Sequence, residues 1–342
     1  MTARAHDIEV PALNRYLAAA APQIGRVESV SQFQGGQSNP TFLLNTSTGR
    51  FVLRRKPAGA LLPSAHAVDR EFRVISALRD TEVPVPRTHC YCDDNSVIGT
   101  AFYVMEFVDG VIFTDSHLPT LSVEQRARAY DDLNRVIAAL HSITPESVGL
   151  GDFGKPGNFV SRQIDRWTKQ YRASETEKIE AMESLIEWLP RHVPADEPAR
   201  IIHGDFRLGN VMFDRDDLRV IAVLDWELAT LGNPLSDFAY TCMAWRMSYE
   251  SPVLSGSHLA GLGIPSEEKF VAQYCRRTGR EAIVDLDFYI AFNMFRFAAI
   301  LQGVAARALQ GNASSANALE TGRKARPVAE AGWKLVQESV RS

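Results

Sequence analysis

Cysteine is scarce in this chain. Only 4 of its 342 residues are Cys, and their spacing builds neither a disulfide framework nor a metal centre. Cys90 and Cys92 sit too close for a useful bridge, and Cys242 and Cys275 have no second Cys or His at zinc spacing. Four reduced thiols in a cytoplasmic protein are therefore expected. Charge of one sign is lacking too. The 37 Lys and Arg stand against 41 Asp and Glu, a net charge of −4. That balance gives no reason to expect nucleic acid or an anionic membrane as partner, because both demand a basic surface. There is no unbroken apolar run of membrane-spanning length, which would be about 20 residues. The most apolar stretch, residues 287–306, is interrupted by Asn293, Arg296 and Gln302, and reads as a buried core helix. Residues 1–10 mix Arg, His, Asp and Glu and show no apolar leader segment. No internal repeat is visible.

What is present is an ordinary globular composition, 45% hydrophobic and 23% charged, at a length that suggests two domains. The first part reads mainly as strands. Residues 27–33, 41–44 and 50–55 carry strand signals, separated by the turn clusters Gln34-Gly35-Gly36-Gln37-Ser38-Asn39 and Thr46-Ser47-Thr48-Gly49. A helix is predicted over 67–79, where Val68, Phe72, Ile75 and Leu78 fall at helical spacing. Strands near 88–92 and 101–107 complete a small sheet, and the turn Val108-Asp109-Gly110 marks a boundary after residue 107.

The remainder, 108–342, reads as mainly helical. Ser122 and Gln125 fit a capping box, opening a helix that runs to about His141. Further helices are predicted near 164–171, 175–189, 236–247, 266–277, 285–310 and 325–340. One β-hairpin interrupts them, 210–214 and 220–224 around Arg215-Asp216-Asp217. The run Gly311-Asn312-Ala313-Ser314-Ser315-Ala316-Asn317 reads as a flexible loop.

The chemistry concentrates around that hairpin. His203-Gly204-Asp205-Phe206-Arg207-Leu208-Gly209-Asn210 precedes it, and Leu224-Asp225-Trp226 follows. If the turn centres on Asp216 and Asp217, Asn210 lies across from the residues just before Asp225. One amide and one carboxylate oxygen then suit a partly hydrated Mg²⁺, which is usually held by one or two protein oxygens plus substrate phosphates. Asp205 is placed to accept a proton from a substrate hydroxyl. Arg207 is placed to meet a phosphoryl group in transfer.

This pattern resembles the aminoglycoside phosphotransferase and choline kinase-like family of the protein-kinase-like fold. The kinase loop H-R-D-x-x-x-x-N is matched by His203-Gly204-Asp205 and Asn210, and the Asp of D-F-G by Asp225. The resemblance implies an α+β fold of two lobes, a small antiparallel-sheet lobe over 1–107 and a larger helical lobe over 108–342. It implies ATP and Mg²⁺, with Asn210 and Asp225 as metal ligands and Asp205 and Arg207 as catalytic residues. It also implies phosphate contacts from Gly35, Gly36 and Ser38, and adenine contacts from the backbone around Glu106 and Val108. Arg54 stands where protein kinases carry lysine. Lys56 shares its strand face and is the alternative phosphate ligand. Glu71 matches the helix glutamate that pairs with that cation, though a solvated position is equally open. His203 and His141 read as structural, and Asp237 as a brace for the catalytic loop. Glu227 could assist a second metal or the substrate, or simply face solvent.

Two departures point to a small-molecule hydroxyl acceptor rather than a protein. Gly204 replaces the arginine that receives a phosphorylated activation loop, and only residues 226–236 separate Asp225 from Asp237. Trp167, Tyr171, Trp245, Tyr289 and Phe292 could line a pocket, and Arg162, Arg166 and Arg246 could meet an anionic substrate. Gly35 to Thr41, Phe51 to Pro57 and His203 to Asn210 look most like the phosphotransferase domains associated with acyl-CoA dehydrogenases. That likeness implies a hydroxyacyl or acyl-CoA acceptor. The alternatives are a catalytically silent nucleotide- or partner-binding module, and a protein kinase.

Overall fold

Alternating side chains on short strands build the sheet that organises the first part of the chain. The computed structural model describes residues 8–33, 39–57, 67–247, 254, 257–311 and 317–341. The chain divides into two units, Met1–Val111 with Ile221–Ala229, and Ile112–Val220 with Thr230–Ser342. The sequence reading has a single break after residue 107. Nothing in the composition of the nine residues 221–229 marks their assignment to the first unit.

In the first unit, helix α1 (Val10–Ala20) precedes strands β1 (Val27–Gln32), β2 (Thr41–Thr46) and β3 (Gly49–Arg55). Helix α2 (Val68–Leu78), strand β4 (Thr88–Cys92), the one-turn helix α3 (Asn95–Ile98) and strand β5 (Phe102–Glu106) follow. The five strands form an antiparallel sheet in the order β1-β2-β3-β5-β4. Because side chains alternate along a strand, Phe42, Leu44, Leu53, Cys90, Cys92, Phe102 and Val104 turn to one face. There they bury Leu13 and Leu17 of α1 in a common core. Tyr103, between Phe102 and Val104, turns to the other face, where its ring lies 6.1 Å from that of Phe72 on α2. Helix α1 is not foreseen from sequence. Its buried stripe is only Ala12, Leu13 and Leu17, too thin to stand out. Segment 221–229 is moored to this unit by the Val223 N–H, which donates to the Pro84 carbonyl at 2.8 Å, and by buried Trp226.

The second unit is helical. It contains α4 (Val123–Ser142), α5 (Phe159–Ala173), α6 (Glu180–Trp188), α7 (Pro234–Cys242), α8 (Glu267–Thr278), α9 (Leu286–Leu309), α10 (Ala318–Arg323) and α11 (Ala325–Ser339). Helix α4 starts at the expected capping box, with Ser122 and Gln125 each bonding the other's backbone N–H. Strands β6 (Arg200–Ile202) and β9 (Thr230–Gly232) pair antiparallel; at three residues each they carry no readable alternation. Strand β7 (Val211–Phe213) leads into the expected turn, where the Asp214 N–H donates to the Arg219 carbonyl at 2.8 Å, and strand β8 (Val220–Val223) after it carries the chain into the first unit. Helix α9 is long and apolar enough to cross a membrane by composition, but 78% of that stretch is buried within the protein. The polar residues that interrupt it have internal partners. Asn293 donates to the Ser236 carbonyl at 2.8 Å, and Gln302 meets the Thr176 hydroxyl at 2.7 Å. All four cysteines are buried free thiols.

Candidate active site

Strand β6 delivers the chain into the loop 203–210, whose backbone is tied down at several points. Asp237 sits in the first turn of α7, 3% exposed. Its two carboxylate oxygens accept the N–H groups of His203 and Gly204, each at 2.8 Å. His141 Nε2 approaches the same carboxylate at 3.2 Å, and its Nδ1 meets the Tyr274 hydroxyl at 2.8 Å. Burial alone would push the Asp237 carboxyl up, but His141, His203 and the loop N–H bond hold it below the usual range. Asp237 is therefore a carboxylate, and it braces the loop as expected. His203 is fully buried and accepts the Asp205 N–H on Nδ1 at 3.2 Å, so it shapes the loop and does not meet a substrate. Thr241 holds the Phe206 carbonyl at 2.8 Å.

The braced loop presents Asp205. Asn210 Nδ2 donates to the Asp205 carbonyl at 2.8 Å and to its Oδ2 at 2.7 Å. Both amide hydrogens are thus spent on acceptors, which fixes the amide orientation and leaves its oxygen as the acceptor. Arg207 Nε lies 3.3 Å from Asp205 Oδ1, on a side chain that is 54% exposed. The phenol of Tyr240 stands beside Asp205. Burial, then the nearby carboxylate, pushes that phenol far up.

Gly204 has a φ of 83°, a backbone state that costs an L-residue about 1–2 kcal/mol. Without a Cβ, residue 204 bonds Asp237 through its N–H and turns the loop outward at no such cost. Gly204→Ala is therefore expected to destabilise the fold by about 1–2 kcal/mol, read from the midpoint of urea unfolding. An unchanged midpoint would show that the strain is relieved elsewhere.

The first unit gathers a second set. Arg54 on β3 lies directly across the ladder from Tyr103 on β5, and both aim at Glu71 of α2. Arg54 Nε stands 2.7 Å from Glu71 Oε2, without hydrogen-bond alignment, and the contact is an ion pair. Tyr103 donates to Glu71 Oε2 at 3.1 Å and Asn39 to Oε1 at 2.5 Å. Glu71 is 1% exposed, which excludes the solvated alternative. Both its oxygens are thus taken by neighbours within this unit. Arg54 Nη2 also lies 2.6 Å from Asp225 Oδ1 and 3.8 Å from Glu227. Burial works against the guanidinium charge, but Glu71, Tyr103, Asp225 and Glu227 outweigh it and hold the proton on. Asp225 itself adopts a left-handed φ of 63°, a strained state for a non-glycine residue of the kind that clusters at functional sites. Its side chain is 38% exposed.

The other expected residues divide. Lys56 lies just past β3, with Nζ 4.0 Å from Asp69, while Arg54 holds the buried position. Glu106 ends β5, and Val108 follows in a stretch without regular structure. Gly35, Gly36 and Ser38 fall outside the described residues. Asn210 belongs to the second unit and Asp225 to the first. Among the described residues, no cluster of three or more His, Cys, Asp or Glu is placed to hold a metal ion. The amide oxygen of Asn210 and the carboxylate of Asp225 are each, taken separately, the kind of oxygen donor that Mg²⁺ accepts alongside substrate phosphates.

The expected anion-binding arginines are mostly committed elsewhere. Arg246 pairs with Glu267, 2.7 Å from Nε, and with Asp287. Arg162 donates to the carbonyls of Gly157 and Lys155. Of the five aromatics, Tyr171, Trp245, Tyr289 and Phe292 are buried core, and only Trp167 is partly exposed. A contact missed from sequence is that of Arg296. Read there only as an interruption of the apolar stretch, it donates through Nη2 to the Gly204 carbonyl at 2.7 Å.

Comparison with known proteins places this geometry. Residues 29–280 match the family model described as the phosphotransferase enzyme family. The chain is 47% identical over 305 residues to acyl-CoA dehydrogenase family member 10 of Mus musculus, covering 88% of this chain and 28% of that protein. It is 42% identical over 343 residues to acyl-CoA dehydrogenase family member 11 of Rattus norvegicus, covering 98% and 44%. The chain thus spans less than half the length of these curated relatives. A crystal structure from Ralstonia eutropha, described provisionally as an aminoglycoside phosphotransferase, is 48% identical with a TM-score of 0.89, covering 97% of this chain and 99% of that one. A thermostable aminoglycoside phosphotransferase mutant solved with ADP and hygromycin B shares the fold. Its TM-score is 0.62 at 16% identity, covering 95% of this chain and 98% of that one.

Proposed function

The chain belongs to the phosphotransferase enzyme family, and on that premise we propose that it transfers the γ-phosphoryl group of ATP, with Mg²⁺, to a hydroxyl of a small hydroxyacyl molecule or its CoA thioester. The observation that carries this reading is the Asp205 carboxylate. It is held at 2.7 Å by Asn210 on a loop whose backbone is clamped by buried Asp237. A group so fixed meets the demand of phosphoryl transfer, which asks for positioning and charge stabilisation more than covalent chemistry. Asp205 accepts the proton of the acceptor hydroxyl as its oxygen attacks phosphorus. Arg207, on a side chain 54% exposed, neutralises charge on the transferring group. Arg54 meets the nucleotide phosphates, and Glu71 keeps it aimed. Asn210 and Asp225 offer the oxygen donors for Mg²⁺, which supplies positive charge to the phosphates when bound. A small acceptor is favoured over a protein, because only residues 226–233 separate Asp225 from the start of α7 at Pro234. The acyl class draws on the likeness to the acyl-CoA dehydrogenase family members 10 and 11.

The test is thermal stability with ATP or GTP, each with and without Mg²⁺. A ligand bound only by the folded state adds about 2.7 kcal/mol of stability at a hundredfold excess over Kd. The expected result is a nucleotide shift that needs Mg²⁺ and disappears in Asp225→Ala. No shift with either nucleotide would instead favour a module that has lost its chemistry.

A further inference from the structure

Beside the catalytic loop, Arg296 is a cation with no counter-ion among the described residues. It rises from the middle of α9, between Phe295 and Ala298, which are both buried. Its guanidinium lies over two aromatic rings, 5.5 Å from the centroid of Tyr240 and 5.8 Å from that of Trp167. One N–H is spent on the Gly204 carbonyl. Among the described residues, no carboxylate stands within ion-pair distance of it. Arg166, exposed, lies over the same Trp167 ring at 5.5 Å, and it too has no carboxylate partner among the described residues. Two arginines therefore flank one indole, and one of them touches the residue before Asp205.

Aromatic faces offset only part of what a half-buried guanidinium loses in hydration. The usual completion is a carboxylate or phosphate, which takes up the planar fork through paired charge-assisted hydrogen bonds. Arg246 shows that completion in the same unit, with the Glu267 carboxylate at its guanidinium. We infer that Arg296, framed by Trp167 and Tyr240 with Arg166 at its rim, binds an anionic group of the acceptor and so sets its hydroxyl at Asp205. This rests on the phosphotransferase reading and narrows it to acceptors that carry a carboxylate or phosphate. Cationic polyamines would be repelled by the same pair of arginines.

The experiment is calorimetric binding of three probes to wild type, Arg296→Gln and Arg296→Lys. The probes are 3-hydroxybutyrate, carrying a carboxylate; 3-hydroxybutyryl-CoA, carrying only phosphates; and neutral 1,3-butanediol. At least one anionic probe is expected to bind wild type. Arg296→Gln should weaken it about tenfold or more, Arg296→Lys should recover part of the loss, and the diol should be indifferent. Which anionic probe binds separates a carboxylate from a phosphate source. The inference is overturned if neither anionic probe binds wild type, or if Arg296→Gln binds as tightly as wild type. The nucleotide-induced thermal shift of Arg296→Gln should match that of wild type, which separates this outcome from failure of the phosphotransferase reading.

Discussion

Asp205→Asn is expected to lower kcat by a factor of about 10²–10⁴, the usual worth of a positioned general base, while the nucleotide-induced thermal shift persists. The substitution is close to isosteric. An asparagine oxygen at 205 can still accept from Asn210 Nδ2, which now stands 2.7 Å from Asp205 Oδ2. The backbone clamps from Asp237, Thr241 and Arg296 do not involve the 205 side chain. The loop therefore keeps its shape and loses only the group that takes the proton. Single-turnover transfer separates this chemistry from product release. Turnover equal to wild type would remove Asp205 from the role of base. Lost nucleotide binding would instead mean that the loop had rearranged.

The loop was readable because its residues are contiguous and their spacing is set by local backbone geometry. From His203 to Asn210 the chain makes most of its own bonds, and Asp237 lies a short, countable distance downstream. The five-stranded sheet was readable for the same reason: alternation and turn chemistry act over a few residues. Partners brought together by packing left fainter marks. Whether Glu71 faces solvent or Arg54 depends on how α2 rotates against β3, and its helical spacing allowed both. Arg296 is distant in sequence from Gly204, and nothing local distinguishes its role from that of Asn293 or Gln302. Helix α1 was missed because two leucines and an alanine carry its buried face, and the strength of that face lies in the sheet it covers.

Arg54→Met should be the most destabilising of these substitutions, by about 3–5 kcal/mol, the usual result of removing one partner from a buried ion pair. Glu71, 1% exposed, would keep the hydrogen bonds from Tyr103 and Asn39 but lose its only described cation. Asp225 would lose Arg54 as well, but at 38% exposure water replaces much of that contact. The cost therefore falls mainly on Glu71, and it should depend on pH. Burial already pushes the Glu71 carboxyl up, against the pull of Arg54, Tyr103 and Asn39; without Arg54 it rises further. A carboxyl whose folded pKa lies above its unfolded value penalises the fold at high pH, and the penalty fades as pH falls through the folded pKa toward the unfolded one. The deficit of Arg54→Met against wild type should accordingly be largest near pH 8 and shrink toward pH 5. The double variant Arg54→Met/Glu71→Gln should recover much of the loss and show no such pH dependence. Urea midpoints of wild type, Arg54→Met, Glu71→Gln and the double variant across that range form the cycle. A deficit that is flat with pH, or a double variant no more stable than Arg54→Met, would place the energetic role of Arg54 with Asp225 and the turn at 225–229 instead.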